Sequence, residues 1–324
     1  MSEEKKDFWV KLQEIDRRWL YAILLVLTSA GLFIPAEIPI TPDRSSIDLY
    51  ISLSEVPEGE TILVQSDWTN STRGENAGQF EAMMRFMMAK RHKFVIYTYG
   101  DPQAPQVSRD ALARILEERE KAGLYEYKEW DDYLIVGYFP NAEAQTVALD
   151  NDIRTAWDTK KIFDPGTQTD RSPFESPVLK DIYSVNDVGF LMIITASGTI
   201  DVAVERLSDN PLKLGCMCTG VVGPQVLPYH QAKQVVGISI GLKGVYDFEY
   251  MMKYGVNFPG EDGELMVTYH KDRDLVIEPI AEGITFSRGK TYYPPLHVAL
   301  TLLILAVIVG NIGLAMSRRG KKSQ

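Results

Sequence analysis

The chain is poor in the residues that most often announce chemistry. Of its 324 residues, two are cysteine and four are histidine. Cys216 and Cys218 stand as C-x-C in LKLGCMCTG. On a strand, positions i and i+2 share a face but cannot be bridged without strain. The pair is read as two buried thiols, and no disulfide framework is expected. His92, His230, His270 and His297 show no metal-ligand spacing. No G-x-x-x-x-G-K-[ST] occurs and no G-x-G-x-x-G follows the first predicted strand, so the usual nucleotide loops are missing. A G-x-S-x-G elbow is missing as well, which disfavours an α/β-hydrolase. No metal and no cofactor are expected.

Charge is missing from two segments. Trp19–Ala36 (WLYAILLVLTSAGLFIPA) and Thr291–Ser317 carry no formal charge. A helix crossing a bilayer needs about 20 apolar residues. Transmembrane helices are therefore predicted at 19–40 and 291–317. Lys5, Lys6, Lys11, Arg17 and Arg18 precede the first, and Arg318, Arg319, Lys321 and Lys322 follow the second. Basic flanks collect on the cytoplasmic side. Tails 1–18 and 318–324 are expected inside, and residues 41–290 outside the cell membrane. A cleaved signal peptide is the alternative for the first segment, but its leader is long and mixed in sign and no clear A-x-A site follows.

Positive charge is also short overall. The whole chain is −10, residues 1–36 sum to zero and the C-terminal tail adds +4, so residues 37–290 carry −14. Such a domain repels phosphate backbones, and nucleic-acid binding is disfavoured. With 45% hydrophobic residues the chain is not a disordered one, and about 250 residues suffice for a core without disulfides.

What is present alternates in period. Strands are predicted at Thr61–Ser66, Lys93–Thr98, Asp132–Tyr138, Val188–Ala196, Leu212–Thr219 and Gln234–Ile240. Helices are predicted at Asn76–Arg91, where Phe80, Met83, Met84, Met87 and Met88 share a face, at Ser108–Ala122 with Ser108 as its cap, at Thr199–Ser208 and at Pro224–Ala232. This order predicts an α/β fold: a Rossmann-like, doubly wound, mostly parallel sheet flanked by two transmembrane helices. Residues 141–187 read as polar loop, and a β-hairpin joined by KDRD is predicted near 264–279. Asp150, Asp152 and Arg154 in LDNDIRTAWD read as a solvated loop.

In an open α/β sheet, ligands bind beyond the carboxyl ends of the strands. Candidate ligand-binding residues are accordingly Asp67, Tyr99, Thr195, Thr219 and Lys243, although helix caps and turns want the same residue types. Lys243 lies in VGISIGLKGVYDFEYMMKYG (236–255), where Gly241 makes a tight exit from the last strand and Gly244 lets a helix start close to the sheet. Val245, Phe248 and Met252 face the core and Gly255 ends the helix. Lys243 at a helix N-terminus suits an anion, but Asp247 and Glu249 already supply negative charge. The stretch is read as a packing hinge. In the second span, Gly310, Asn311 and Gly313 are candidates for packing against another helix, from this chain or another subunit.

Several segments together resemble a family of uncharacterised bacterial membrane-anchored proteins: LVQSDWTNST (63–72), GVVGPQVLPY (220–229), QVVGISIGLKGVYDFE (234–249) and the Gly310-Asn311 pair, in that order. The resemblance spans most of residues 45–312. It implies two membrane anchors around one α/β domain and implies no activity. Val245–Tyr246, where the family has small residues, and the extra hairpin depart from its pattern. The expected function is a non-enzymatic interaction subunit of a membrane complex, with the bilayer and a membrane protein or a second copy as partners. The alternative is a membrane-tethered domain that binds or senses a small molecule.

Overall fold

The computed structural model describes residues 16–33, 37–271, 274–281 and 288–322. Most of the expected 1–18 tail, Ala36, the middle of KDRD and the last two residues lie outside them. Two compact units result: residues 40–289, and residues 1–39 together with 290–324.

In the larger unit, helix α2 (Arg44–Ser54) precedes strand β1 (Thr61–Asp67), α3 (Arg73–Ala89), β2 (Lys93–Thr98), α4 (Ala104–Lys121) and β3 (Tyr133–Tyr138). Then come α5 (Ala142–Asn151), α6 (Ile153–Ala156) and a small antiparallel pair, β4 (Ile162–Asp164) and β5 (Thr169–Arg171). The second half runs β6 (Phe190–Thr195), α7 (Thr199–Leu207), β7 (Leu214–Cys218), α8 (Gly223–Gln231), β8 (Gly237–Ile240) and α9 (Gly241–Tyr254). Six strands form one sheet in the order β3-β2-β1-β6-β7-β8, every pair parallel. This is the Rossmann-like α/β arrangement, with the chain order reversing between β1 and β6.

All seven residues of β1 and all six of β6 are buried, because helices cover both faces of the sheet. The methionines of α3 lie in the core as the 3.6-residue period requires: Met83, Met84, Met87 and Met88 are each 0% exposed. α4 starts four residues before the expected cap. Pro105 suits its first turn, and Ser108 instead lies buried inside the helix, its hydroxyl 2.7 Å from that of Ser66.

Three stretches depart from the sequence reading. α2 was not expected, yet Ile47, Leu49, Tyr50, Ile51 and Leu53 on it are all buried. Residues 141–187 are not a plain loop, since Leu149, Ile153, Trp157, Val178 and Leu179 join the apolar cluster on one face of the sheet. The stretch 264–279 forms no regular hairpin among the described residues; Ile277 bridges Val256 and Leu265 bridges Pro259. Each arm finds its backbone partner in the segment just after α9 rather than in the other arm.

The smaller unit holds α1 (Arg17–Phe33) and most of α10 (Arg288–Lys322). Among the described residues one helix is long and apolar enough to cross a bilayer. It is Arg288–Met316, 29 residues whose most apolar 18-residue window has mean hydropathy 2.5. At 1.5 Å per residue its length of about 40 Å exceeds the hydrocarbon core. α1 is apolar but shorter, its apolar run covering Arg18–Phe33.

Candidate functional site

The reversal between β1 and β6 leaves the carboxyl ends of six strands as the place where a fold of this kind puts chemistry. β1 delivers Asp67 there, 5% exposed. Its Oδ1 accepts from the Thr98 hydroxyl at 2.7 Å and from the backbone N–H groups of Tyr99 and Gly100 at 2.9 and 3.0 Å. Its Oδ2 accepts from Gln65 Nε2 at 2.6 Å. The carboxylate thus ties β1 to the turn leaving β2. Tyr99 packs edge-on to Tyr97 with centroids 5.1 Å apart, and burial pushes its hydroxyl well above the usual tyrosine range.

β6 and β7 end in Thr195 and Thr219. The Thr195 hydroxyl receives the Ser197 N–H at 3.0 Å and lies 3.0 Å from the Thr199 hydroxyl, which shapes the turn into α7. Thr219 donates its N–H to Thr195 O at 3.3 Å, and its carbonyl receives Val222 and Gly223 N–H, both at 3.1 Å, at the start of α8. Both threonines therefore serve the turns that follow their strands.

Lys243, on the first turn of α9, meets Asp247 at 2.6 and 2.7 Å and Asp43 at 3.3 Å. Gly244 admits the helix onto the sheet, since a Cβ there would lie 2.7 Å from the Ser239 carbonyl carbon. Val245, Phe248 and Met252 are buried. Gly241 and Gly255 hold φ of +58° and +70°. The Lys243 ammonium is thus paired by one carboxylate of its own helix and one that precedes α2.

Three residues on α3 that sequence reasoning passed over close the edge. Asn76 Nδ2 donates to Thr195 O at 3.2 Å, and Gln79 Nε2 donates to Cys218 O at 2.6 Å. Glu75 Oε2 accepts from Gly220 N–H at 2.7 Å. α3 therefore bonds to the ends of β6 and β7 and to the loop that follows β7. Asn76 and Gln79 are 0% exposed. A signal was available: Asn76 and Gln79 stand one turn before Phe80 and Met83, on the face the methionines send into the core. Among the described residues, no three His, Cys, Asp or Glu side chains could hold a metal ion. Cys216 and Cys218 are free and buried, and burial pushes the Cys216 thiol well up.

One group at this edge titrates near neutrality. Burial pushes the Asp247 carboxyl up to about 6, against the opposing pull of Lys243. A raised carboxyl favours the fold below the ordinary value of 3.8 and loses that contribution as pH rises through about 6. Asp247→Asn removes this dependence. The stability of the variant minus that of the native chain is expected to grow by about 2–3 kcal/mol between pH 4 and pH 7, measured by urea unfolding. His92 works in the opposite sense and cancels in that difference. Burial, then Lys90, hold its imidazole down at about 4, so its contribution is lost as pH falls from 6.5 toward 4. A gap between variant and native chain that does not change with pH refutes the assignment.

Compared with protein-family models, curated proteins and solved structures, the chain matches none.

Proposed function

We propose that the chain is a membrane-anchored α/β module acting as a non-enzymatic interaction subunit of a membrane complex. One observation carries the reading: most of the polar groups at the carboxyl ends of the strands are spent on each other and on strand ends. Asp67 accepts four donors, Lys243 faces two carboxylates, and Asn76 and Gln79 bond to the terminal carbonyls of β6 and β7. Catalysis at such an edge would need groups free to reach a substrate.

The anchoring is two-pass in this reading, with both tails cytoplasmic and residues 41–290 extracytoplasmic. The apolar surface of α10, with Leu303 and Ile304 61% and 57% exposed, suits lipid or another helix. A Cβ at Gly310 would meet nothing within 4 Å, and Asn311 is exposed, which leaves room there for a partner helix. The resemblance to membrane-anchored proteins agrees. Reporter fusions at each terminus test the topology. Both are expected to report cytoplasm, and a fusion active outside the membrane refutes it. Native mass spectrometry after extraction in mild detergent tests the role. A stoichiometric complex is expected; a lone 36.5 kDa chain overturns the proposal.

A second reading is a tethered small-molecule binder. It is favoured by two buried polar atoms at this edge, Asn76 Oδ1 and Trp68 Nε1, to which no described group bonds. A metabolite screen by thermal shift discriminates the two. A shift lost in Thr219→Val favours the binder, and the absence of any shift that this variant abolishes favours the interaction module.

A further inference from the structure

Away from the carboxyl ends, a cleft of about 400 Å³ opens beside the amino end of β8. α2 supplies Asp48 and Ser52, the end of α8 supplies His230 and Lys233, and the segment after α9 supplies Tyr269 and Lys271. Asp48 lies 182 residues from His230 and 221 from Tyr269, so only folding assembles the cluster.

Asp48 is its centre. Oδ1 accepts from the Tyr269 hydroxyl at 2.6 Å, and Oδ2 lies 3.2 Å from His230 Nε2. Burial, then Asp48, push the Tyr269 hydroxyl up to about 12, so it stays a donor at neutral pH. The one carboxylate lining the cleft is thus occupied. The rim is cationic. Lys233 and Lys271 are exposed, and among the described residues neither forms an ion pair. The Arg44 guanidinium lies 5.9 Å from the Tyr269 ring centroid. This cationic rim stands out in a stretch, 37–290, that carries −14 overall.

The backbone of Lys233 is an independent sign. It holds φ +62° where α8 ends, with its N–H on His230 O and the Gln234 N–H on Tyr229 O. Glycine is the residue that suits this left-handed position. Arg91 also has positive φ, and its guanidinium stacks 4.1 Å over the Tyr125 ring, an evident compensation. Lys233 has no comparable contact among the described residues. What its side chain gains is its place on the cleft.

We propose that this cleft binds a phosphate monoester, the phosphate held between Lys233 and Lys271 and the organic body against Ile51 and Val235. The volume suits a small molecule rather than a bare ion. A phosphate monoester carries close to two negative charges at neutral pH and so matches two ammonium groups acting as point charges, whereas a carboxylate carries one.

The test uses the full chain in phosphatidylcholine nanodiscs with glycerol 3-phosphate as probe. The melting temperature is expected to rise by about 3–6 °C at ten times the Kd. Lys233→Gly relaxes the left-handed turn and is expected to raise the ligand-free melting temperature by about 2–4 °C while weakening binding at least about tenfold. Loss of binding in a more stable variant cannot be put down to unfolding. Lys271→Ala is expected to weaken binding similarly. A shift with phosphatidic acid in the disc but none with glycerol 3-phosphate assigns the phosphate to a lipid headgroup. No shift with either probe, or an undiminished shift in the Lys233→Gly, Lys271→Ala double variant, overturns the proposal.

Discussion

Replacing Asp67 with alanine is expected to destabilise the α/β domain by about 3–5 kcal/mol, a large part of the 5–15 kcal/mol typical of a folded domain. The carboxylate is 5% exposed and serves four donors: Gln65 Nε2, the Thr98 hydroxyl and the N–H groups of Tyr99 and Gly100. Alanine leaves Tyr99 N–H without its acceptor and Gly100 N–H with only the Thr98 hydroxyl, 3.2 Å away. The Tyr99 amide is the costliest part, because it cannot rotate away as the Gln65 and Thr98 side chains can. Asp67→Asn keeps the shape and one acceptor oxygen, and is expected to lose about half as much. Urea unfolding followed by tryptophan fluorescence measures both. A loss below about 1 kcal/mol for alanine would mean that the carboxylate is not the staple described here. Asp67 would then be available to a ligand, and the interaction reading would lose its main support.

Gly237→Ala is expected to cost about 3 kcal/mol or more, through a contact of a different kind. β7 and β8 set Gly215 beside Gly237 in register, and α2 lies on this bare pair through Leu49. A Cβ on Gly237 would run into the backbone N and Cα of Leu49, so α2 itself must move. A Cβ on Gly215 would instead come within 2.6 Å of Leu49 Cδ1 and of the Phe190 ring, which are side-chain atoms. The two variants should therefore respond differently to Leu49→Ala. In a double-mutant cycle, truncating Leu49 is expected to recover part of the Gly215→Ala loss and almost none of the Gly237→Ala loss. Equal recovery in both would show that side-chain crowding, not backbone approach, sets the seat of α2.

By itself the sequence determined the six strands, most of the helices between them, and the apolar length of α10. These are carried by local patterns. Continuous apolar runs such as FLMIIT mark strands covered on both faces, and the methionine spacing in α3 marks one buried helical face. The hinge at 236–255 was legible for the same reason, since a glycine at a tight exit and a glycine under a helix act within a few residues of each other.

Only the tertiary structure decided the rest. Five of the eleven residues of α2 are apolar, but what seats it is a pair of glycines more than 160 residues later, which no local window contains. Asn76 and Gln79 read as ordinary polar residues at a helix start until the sheet places strand-end carbonyls within 3.2 Å of them. Asp67, Thr195 and Lys243 were recognised as polar residues at strand or helix ends, but whether such residues face solvent or each other depends on the turns that neighbouring strands bring alongside. Asp48, His230 and Tyr269 meet for the same reason. Secondary structure follows from near neighbours and hydrophobic period, whereas a polar cluster is a juxtaposition of chain segments that only closing the sheet brings within a hydrogen bond's length.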